Sequence, residues 1–274
     1  MSLGPLDLLF DFLRDLADGN LHYLGLIILA MMVASLEAGF HIGRFAATRR
    51  QPSDAEKSAV NFSTAGMVGL LAFLLGISLS MASGRFEQRR DSVLAEANAI
   101  GTSWLRAELA GAAERDSLRR LLREYTEVRI AAVRGGPDAA EEDRLNQRTN
   151  ALQTEMWRLA AGVAERSPTP ISGLLLASLN ETFDLALTNR RNFTSHVPTY
   201  LIRLLLIVSI VAVGAVGYGF GIAGTRQFAV SLMLLAAWTL AIVLIVDVDR
   251  PQAGEVRVNP TPLIWTLQGF GPAR

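Results

Sequence analysis

From Phe62 to Leu109 the chain reads as one helix in two solvents. It begins as FSTAGMVGLLAFLLGISLSMA and continues, past Ser83 and Gly84, as RFEQRRDSVLAEANAIGTSWLRAEL. No proline interrupts it, and its charged part has only Gly84 and Gly101 as weak points. At 1.5 Å per residue such a helix is about 70 Å long. A bilayer's hydrocarbon core is about 30 Å. One element therefore couples a membrane to a water-exposed region, an arrangement common in channels and transmembrane sensors and rare in soluble enzymes.

The apolar residues, 50% of the chain, are concentrated on either side of a polar centre. This pattern predicts an all-α polytopic membrane protein with four membrane helices in two pairs. The predicted spans are 21–43, 62–83, 199–221 and 227–247, each near the ~20 residues a crossing needs. The short link from Gly221 to Arg226 makes the last two an antiparallel hairpin. Five regions follow: an amphipathic interfacial helix over 1–20, a first membrane pair over 21–83, a helical cytoplasmic domain over 84–198, a second hairpin over 199–248, and a tail over 249–274. In the first, Leu6, Leu9, Phe10, Leu13 and Leu16 share a face. Asp7, Asp11, Asp15 and Asp18 against Arg14 give that end the wrong charge for a secretory signal.

Within the inserted domain, Gly135-Gly136-Pro137 and Ser167-Pro168-Thr169-Pro170 separate helices of about 86–110, 113–134, 138–166 and 171–195. Asp138 is placed to cap the third, and Ser172 falls in the first turn of the last. Its 16 arginines balance 16 acidic residues. Runs such as Glu141-Glu142-Asp143 read as a solvated face.

Formal net charge is zero, so no nucleic-acid partner is expected. Lys57 is the only lysine among 26 basic residues, most simply a compositional bias. With no cysteine and three scattered histidines, His22, His41 and His196, no metal site or thiol chemistry is expected, and no cofactor. No nucleophile stands with a base, and no phosphate-binding or dinucleotide motif occurs, so an enzyme has the least support. Basic residues near membrane ends number nine on the side of the large domain (Arg14, Arg85, Arg89, Arg90, Arg190, Arg191, Arg203, Arg250, Arg257) and five on the other (Arg44, Arg49, Arg50, Lys57, Arg226). That bias favours a cytoplasmic large domain.

Three groups of residues are candidates for function. In the second membrane helix, Gly66, Gly69, Ala72, Gly76, Ser80 and Ser83 form a small-residue side. It serves either close helix packing or the wall of a pore in an oligomer. In the pore reading, Phe73, Ile77 and Met81 form apolar rings beside Gly69, Ser80 wets the inner side, and Arg85, Arg89 and Arg90 line the mouth. In the first helix, Glu37, His41 and Arg44 share a face, either as a local charge pairing or as a mouth or proton-sensitive group. Arg203 is expected to pair with Asp247 or Asp249 across the hairpin as a structural contact. Asn98, Trp104 and Trp157 read as packing residues.

Several segments carry a resemblance. They are Leu70-Leu71-Ala72-Phe73-Leu74-Leu75-Gly76, Gly84-Arg85-Phe86-Glu87-Gln88-Arg89-Arg90, Glu96-Ala97-Asn98-Ala99-Ile100-Gly101-Thr102, Leu121-Leu122-Arg123-Glu124-Tyr125, His196-Val197-Pro198 and Val246-Asp247-Val248-Asp249-Arg250-Pro251. Together they resemble an uncharacterised bacterial bestrophin-like family, distantly similar to the bestrophin channels. The resemblance implies a homo-oligomer in the lipid bilayer, pentameric by analogy, conducting inorganic ions through a pore lined by the second membrane helix, with Phe73 and Ile77 in the position of an apolar neck. The acidic cluster that binds calcium in animal bestrophins is reduced here to Asp247 and Asp249. A non-conducting sensor or scaffold, whose helical domain binds a partner or ligand, is the alternative.

Overall fold

A computed structural model describes residues 20–135, 139–252 and 254–271. The expected interfacial helix, apart from Asn20, and the Asp138 cap lie outside the described residues. Among the described residues the structure is helical and contains no strand. Its helices are α1 (Leu21–Arg49), α2 (Asp54–Ala107), α3 (Ala112–Arg134), α4 (Ala139–Arg166), α5 (Pro170–Thr194), α6 (Thr199–Ala223), α7 (Phe228–Val248) and α8 (Thr261–Gly269). Four apolar stretches, in α1, α2, α6 and α7, are long enough to cross a membrane. The all-α architecture is as expected: two membrane pairs with a helical insert.

Two compact units divide the chain. Of the described residues, one comprises those up to Ser83 together with His196–Asp249, the other those of Gly84–Ser195 together with those from Arg250 on. The boundary falls inside α2, which remains helical through both Gly84 and Gly101. The described residues of the expected tail from Arg250 on group with the second unit. Val258, Leu263 and Phe270 are buried in the core of the second unit, and Phe270 stacks on Trp104 at 3.9 Å.

α2 starts about two turns before its apolar run. Ser53 and Glu56 explain this by capping each other. The Ser53 N–H donates to Glu56 Oε2 at 2.7 Å, and the Glu56 N–H donates to Ser53 Oγ at 3.2 Å. That backbone bond, and next the Arg50 guanidinium 3.0 Å away, hold the Glu56 carboxyl below its ordinary range.

In the first unit, α1 and α6 meet backbone to backbone. A Cβ added at Gly39 would fall 2.0 Å from the Gly214 carbonyl oxygen, and one at Gly43 would fall 2.2 Å from that of Tyr218. From the other side, a Cβ at Gly217 would meet the Leu36 oxygen at 2.0 Å, and one at Gly221 the Phe40 oxygen at 2.2 Å. Ser35 Oγ closes the seam by donating to the Ile210 carbonyl at 2.7 Å. Lipid tails are as apolar as leucine, so membrane helices associate through such close packing rather than through a hydrophobic driving force. α7 adds Leu235, Thr239 and Ile242 to the buried face of α1, with Thr239 Oγ1 3.7 Å from Met32 Sδ.

In the second unit, amphipathic faces of α2 to α5 and α8 enclose one apolar core. Its centre is ionic. Glu96, fully buried on α2, accepts from Arg129 of α3 at 2.5 and 3.2 Å and from Asn189 Nδ2 of α5 at 2.5 Å. Burial alone would push the Arg129 guanidinium down. The adjacent Glu96 carboxylate more than offsets that and leaves it raised. Tyr125 is buried beside this pair and accepts from Gln153 Nε2 at 3.2 Å. Burial first, and the Glu96 charge second, push its phenol up from its ordinary value. Not every charge of this unit is therefore a solvated one.

Three outcomes follow from this packing. Gly39→Ala should cost about 1–3 kcal/mol by forcing the α1–α6 backbones apart. A Cβ at Gly66 meets nothing within 4 Å, so thermal scans in detergent should show a lower melting temperature for Gly39→Ala than for Gly66→Ala. Glu96→Ala leaves a buried guanidinium uncompensated and should cost about 3–5 kcal/mol, while replacing Glu96 and Arg129 together by Leu and Met should cost less. Equal losses in the single and double variants would contradict this. Finally, the Tyr125 phenol is raised in the folded state, so above pH 10.0 the native chain binds more protons than the unfolded one and stability falls as pH rises. Absorbance titration should leave one of the four tyrosines un-ionised until the protein unfolds, and Tyr125→Phe should reduce the alkaline loss.

Candidate functional site: the outward face of the second membrane helix

α2 has one buried side along its length. Leu71, Ser78, Ala82, Arg89, Val93, Glu96, Ile100 and Ala107 lie on it, spaced as the turn of about 3.6 residues requires. The opposite side of the apolar stretch carries Gly66, Gly69, Phe73, Gly76, Ile77 and Ser80. All six are exposed, Phe73 by 63% and Ile77 by 40%. A Cβ added at Gly66, Gly69, Gly76 or Gly84 would meet nothing within 4 Å. The small-residue side is therefore no packing seam within one chain. That role belongs to α1 and α6, where the spacing Gly39-x-x-x-Gly43 and the glycines at 214, 217 and 221 are the sequence signal for it.

The exposed side of α2 differs from that of α7. On α7, Val230, Met233, Leu240 and Leu244 are exposed, a bulky apolar surface of the kind lipid chains cover. On α2, glycines and the exposed hydroxyls of Ser80 and Ser83 are interleaved with Phe73 and Ile77, while Phe62, Met67, Leu70 and Leu79 are exposed as well. Past Gly84 the exposed residues include the polar Glu87, Asp91 and Asn98, with Leu94 and Leu105 among them.

The remaining predicted residues separate. Met81 lies on the flank of the exposed stripe and is half-buried. Arg85 is half-buried, and Arg90 is exposed and paired with Glu87 at 3.0 Å. Arg89, expected at an open mouth with these two, is instead fully buried. It donates to the Asn192 carbonyl at 3.2 Å and to the Ser195 carbonyl at 2.7 Å. Its spacing from Leu71 and Ala82 puts it on the inner side of α2, which basic character alone does not reveal.

Glu37 lies 3.8 Å from His41 Nε2, and its other cation is Arg226 at 3.2 Å rather than Arg44. Arg226 comes from the α6–α7 link, where Gly224 at φ 69° ends α6, and also stacks over the Phe40 ring at 4.3 Å. The fold brings this pair together across the chain, so helical spacing could not show it. Arg44 is exposed, with Nη1 beside Gly224. Asp249 accepts the Val197 N–H at 2.9 and 3.0 Å and lies 3.5 Å from His196 Nδ1. Asp247 is buried in the last turn of α7, and Arg203 is half-buried in the first turns of α6. Among the described residues no three His, Cys, Asp or Glu side chains are grouped to hold a metal ion.

A search of curated proteins gave no match to this sequence. Solved structures do share its fold. A bacterial bestrophin homologue from Klebsiella pneumoniae, phased by zinc anomalous scattering, superposes with a TM-score of 0.61 at 16% identity, over 92% of this chain and 96% of that one. A single-substitution variant of the Klebsiella pneumoniae homologue gives 0.62 at 14% identity, over 90% and 95%. A variant described as a membrane protein gives 0.64 at 14% identity, over 92% and 97%. The profile of the bestrophin-like domain matches residues 30–263. The chain is an integral membrane protein and belongs to the bestrophin-like family.

Proposed function

We propose that the protein is an ion channel of the bacterial inner membrane, a ring of identical subunits, pentameric by analogy, with α2 lining the pore. The observation that carries this reading is the outward stripe of α2. A membrane helix that turns glycines and serines away from its own bundle, interleaved with Phe73 and Ile77, presents a face that other copies of the helix can line. With copies of the same helix around an axis, Phe73 and Ile77 form successive apolar rings that gate by dewetting. Gly69 and Ser80 give these rings room and water access on either side, with Met81 at the margin.

Arg85 and Arg90 stand at the mouth beyond the rings, on the cytoplasmic side by the distribution of basic residues. Arg89 instead anchors α2 to the end of α5 behind that mouth. The Glu37, His41, Arg226 and Arg44 group marks the other end of α1 as a charged rim. Arg203 and Asp247 close the α6–α7 hairpin as a charge pair, and a change to Ala at Arg203 is expected to impair assembly.

Reconstitution in planar bilayers tests the channel. The purified chain should run as a symmetric oligomer by native mass spectrometry and conduct ions. Phe73→Ala and Ile77→Ala should each raise the current on the order of several-fold by shortening the dewetted constriction. A monomeric mass together with no current across varied ions, pH and calcium would sink the proposal in favour of the non-conducting sensor.

A further inference from the structure

Between the polar part of α2 and the end of α5 lies a cavity of about 560 Å³, within the range of small-ligand sites. Arg85, Asp91, Thr188, Arg191, Asn192 and Ser195 line it. We propose that this cavity binds a small oxyanion, a phosphate or carboxylate group, held by Arg85 and Arg191.

Several arginines around the cavity are already occupied. Arg89 spends its guanidinium on the Asn192 and Ser195 carbonyls, and Arg129 on Glu96. Arg90 is paired with Glu87. Arg85 and Arg191 line the same cavity, and among the described residues neither guanidinium has a hydrogen bond or ion pair. Asp91 lines the cavity as well and pairs with neither. The lining therefore carries an excess positive charge, with two planar donor forks whose geometry suits carboxylate and phosphate oxygens. Thr188 and Asn192 supply further polar groups, and Arg89 fixes the α5 backbone behind them. Asp91 opposes a second negative charge on the ligand and offers an acceptor to a hydroxyl or ammonium group. Bound there, an oxyanion ties α2 to α5 just past Gly84.

Two sources present this chemistry: a soluble phosphate or carboxylate, and the headgroup of an anionic phospholipid, since Arg85 follows directly on the apolar stretch of α2. The full chain in detergent should be titrated with inorganic phosphate while its melting temperature is followed. In parallel, it should be scanned in nanodiscs of phosphatidylcholine with and without phosphatidylglycerol. A saturable rise with phosphate identifies a soluble ligand, and a rise confined to phosphatidylglycerol identifies the headgroup. Arg85→Gln and Arg191→Gln should each weaken the response about tenfold. Arg85→Lys and Arg191→Lys keep the charge without the fork and should fall between, which keeps the test informative where a glutamine variant folds poorly. Asp91→Asn should strengthen the response, and Arg120→Gln, an exposed site on α3, should leave it unchanged. The proposal fails if neither probe gives a saturable rise. It fails equally if Arg120→Gln weakens the rise as much as the cavity variants do, because the effect is then general ionic screening.

Discussion

The contact between α1 and α6 is the one on which the membrane unit depends. Glycines at 39, 43, 217 and 221 each leave the space of a side chain to a carbonyl or backbone nitrogen of the facing helix. In hydrocarbon, two apolar helices gain little from merely touching, and the gain comes from how closely the backbones approach. Four glycines on two faces set that distance, and any side chain on them would have to displace backbone. With α7 also packed on α1, the scaffold of the unit needs nothing from the outward side of α2. That side is left free, which makes it the candidate surface for other copies of the chain.

The second unit is held differently. Its core is apolar, but a carboxylate and a guanidinium lie at its centre with an amide from a third helix. Such a group is costly to desolvate and contributes net stability only when every member is satisfied. Glu96 meets that condition, since both of its oxygens accept hydrogen bonds from α3 and α5. The group also fixes how three helices face one another. Arg89, about two turns earlier on the same side of α2, does a related job with backbone carbonyls alone.

Much of the helix order could be read directly from the residues. Long apolar runs have one solution in a bilayer, because every backbone polar group must find its partner within the helix. Breakers such as Gly135 and Pro170 divided the polar region with equal clarity. The glycine seam had a visible signal in Gly39-x-x-x-Gly43, yet the denser small-residue stripe of α2 drew the same interpretation. Spacing says that a face is small, not which neighbour it meets. The start of α2 was legible too, in the Ser53 and Glu56 pair, but an apolar window does not register a polar cap.

The sequence alone determined that this chain is helical, that four segments suit a membrane, and that α2 passes from an apolar to a polar surrounding, because periodicity and hydropathy are local properties. Tertiary structure alone decided which side of α2 is buried. It moved Arg89 from an expected mouth to the interior, joined Glu37 to Arg226, placed Glu96 against Arg129, and drew the final helix into the polar core. Each of these depends on which residues distant in sequence come within a few ångströms, and no spacing along one helix encodes that. The helix from Phe62 onward thus keeps the two solvents its sequence announced and acquires two sides, one spent on its own fold and one left exposed.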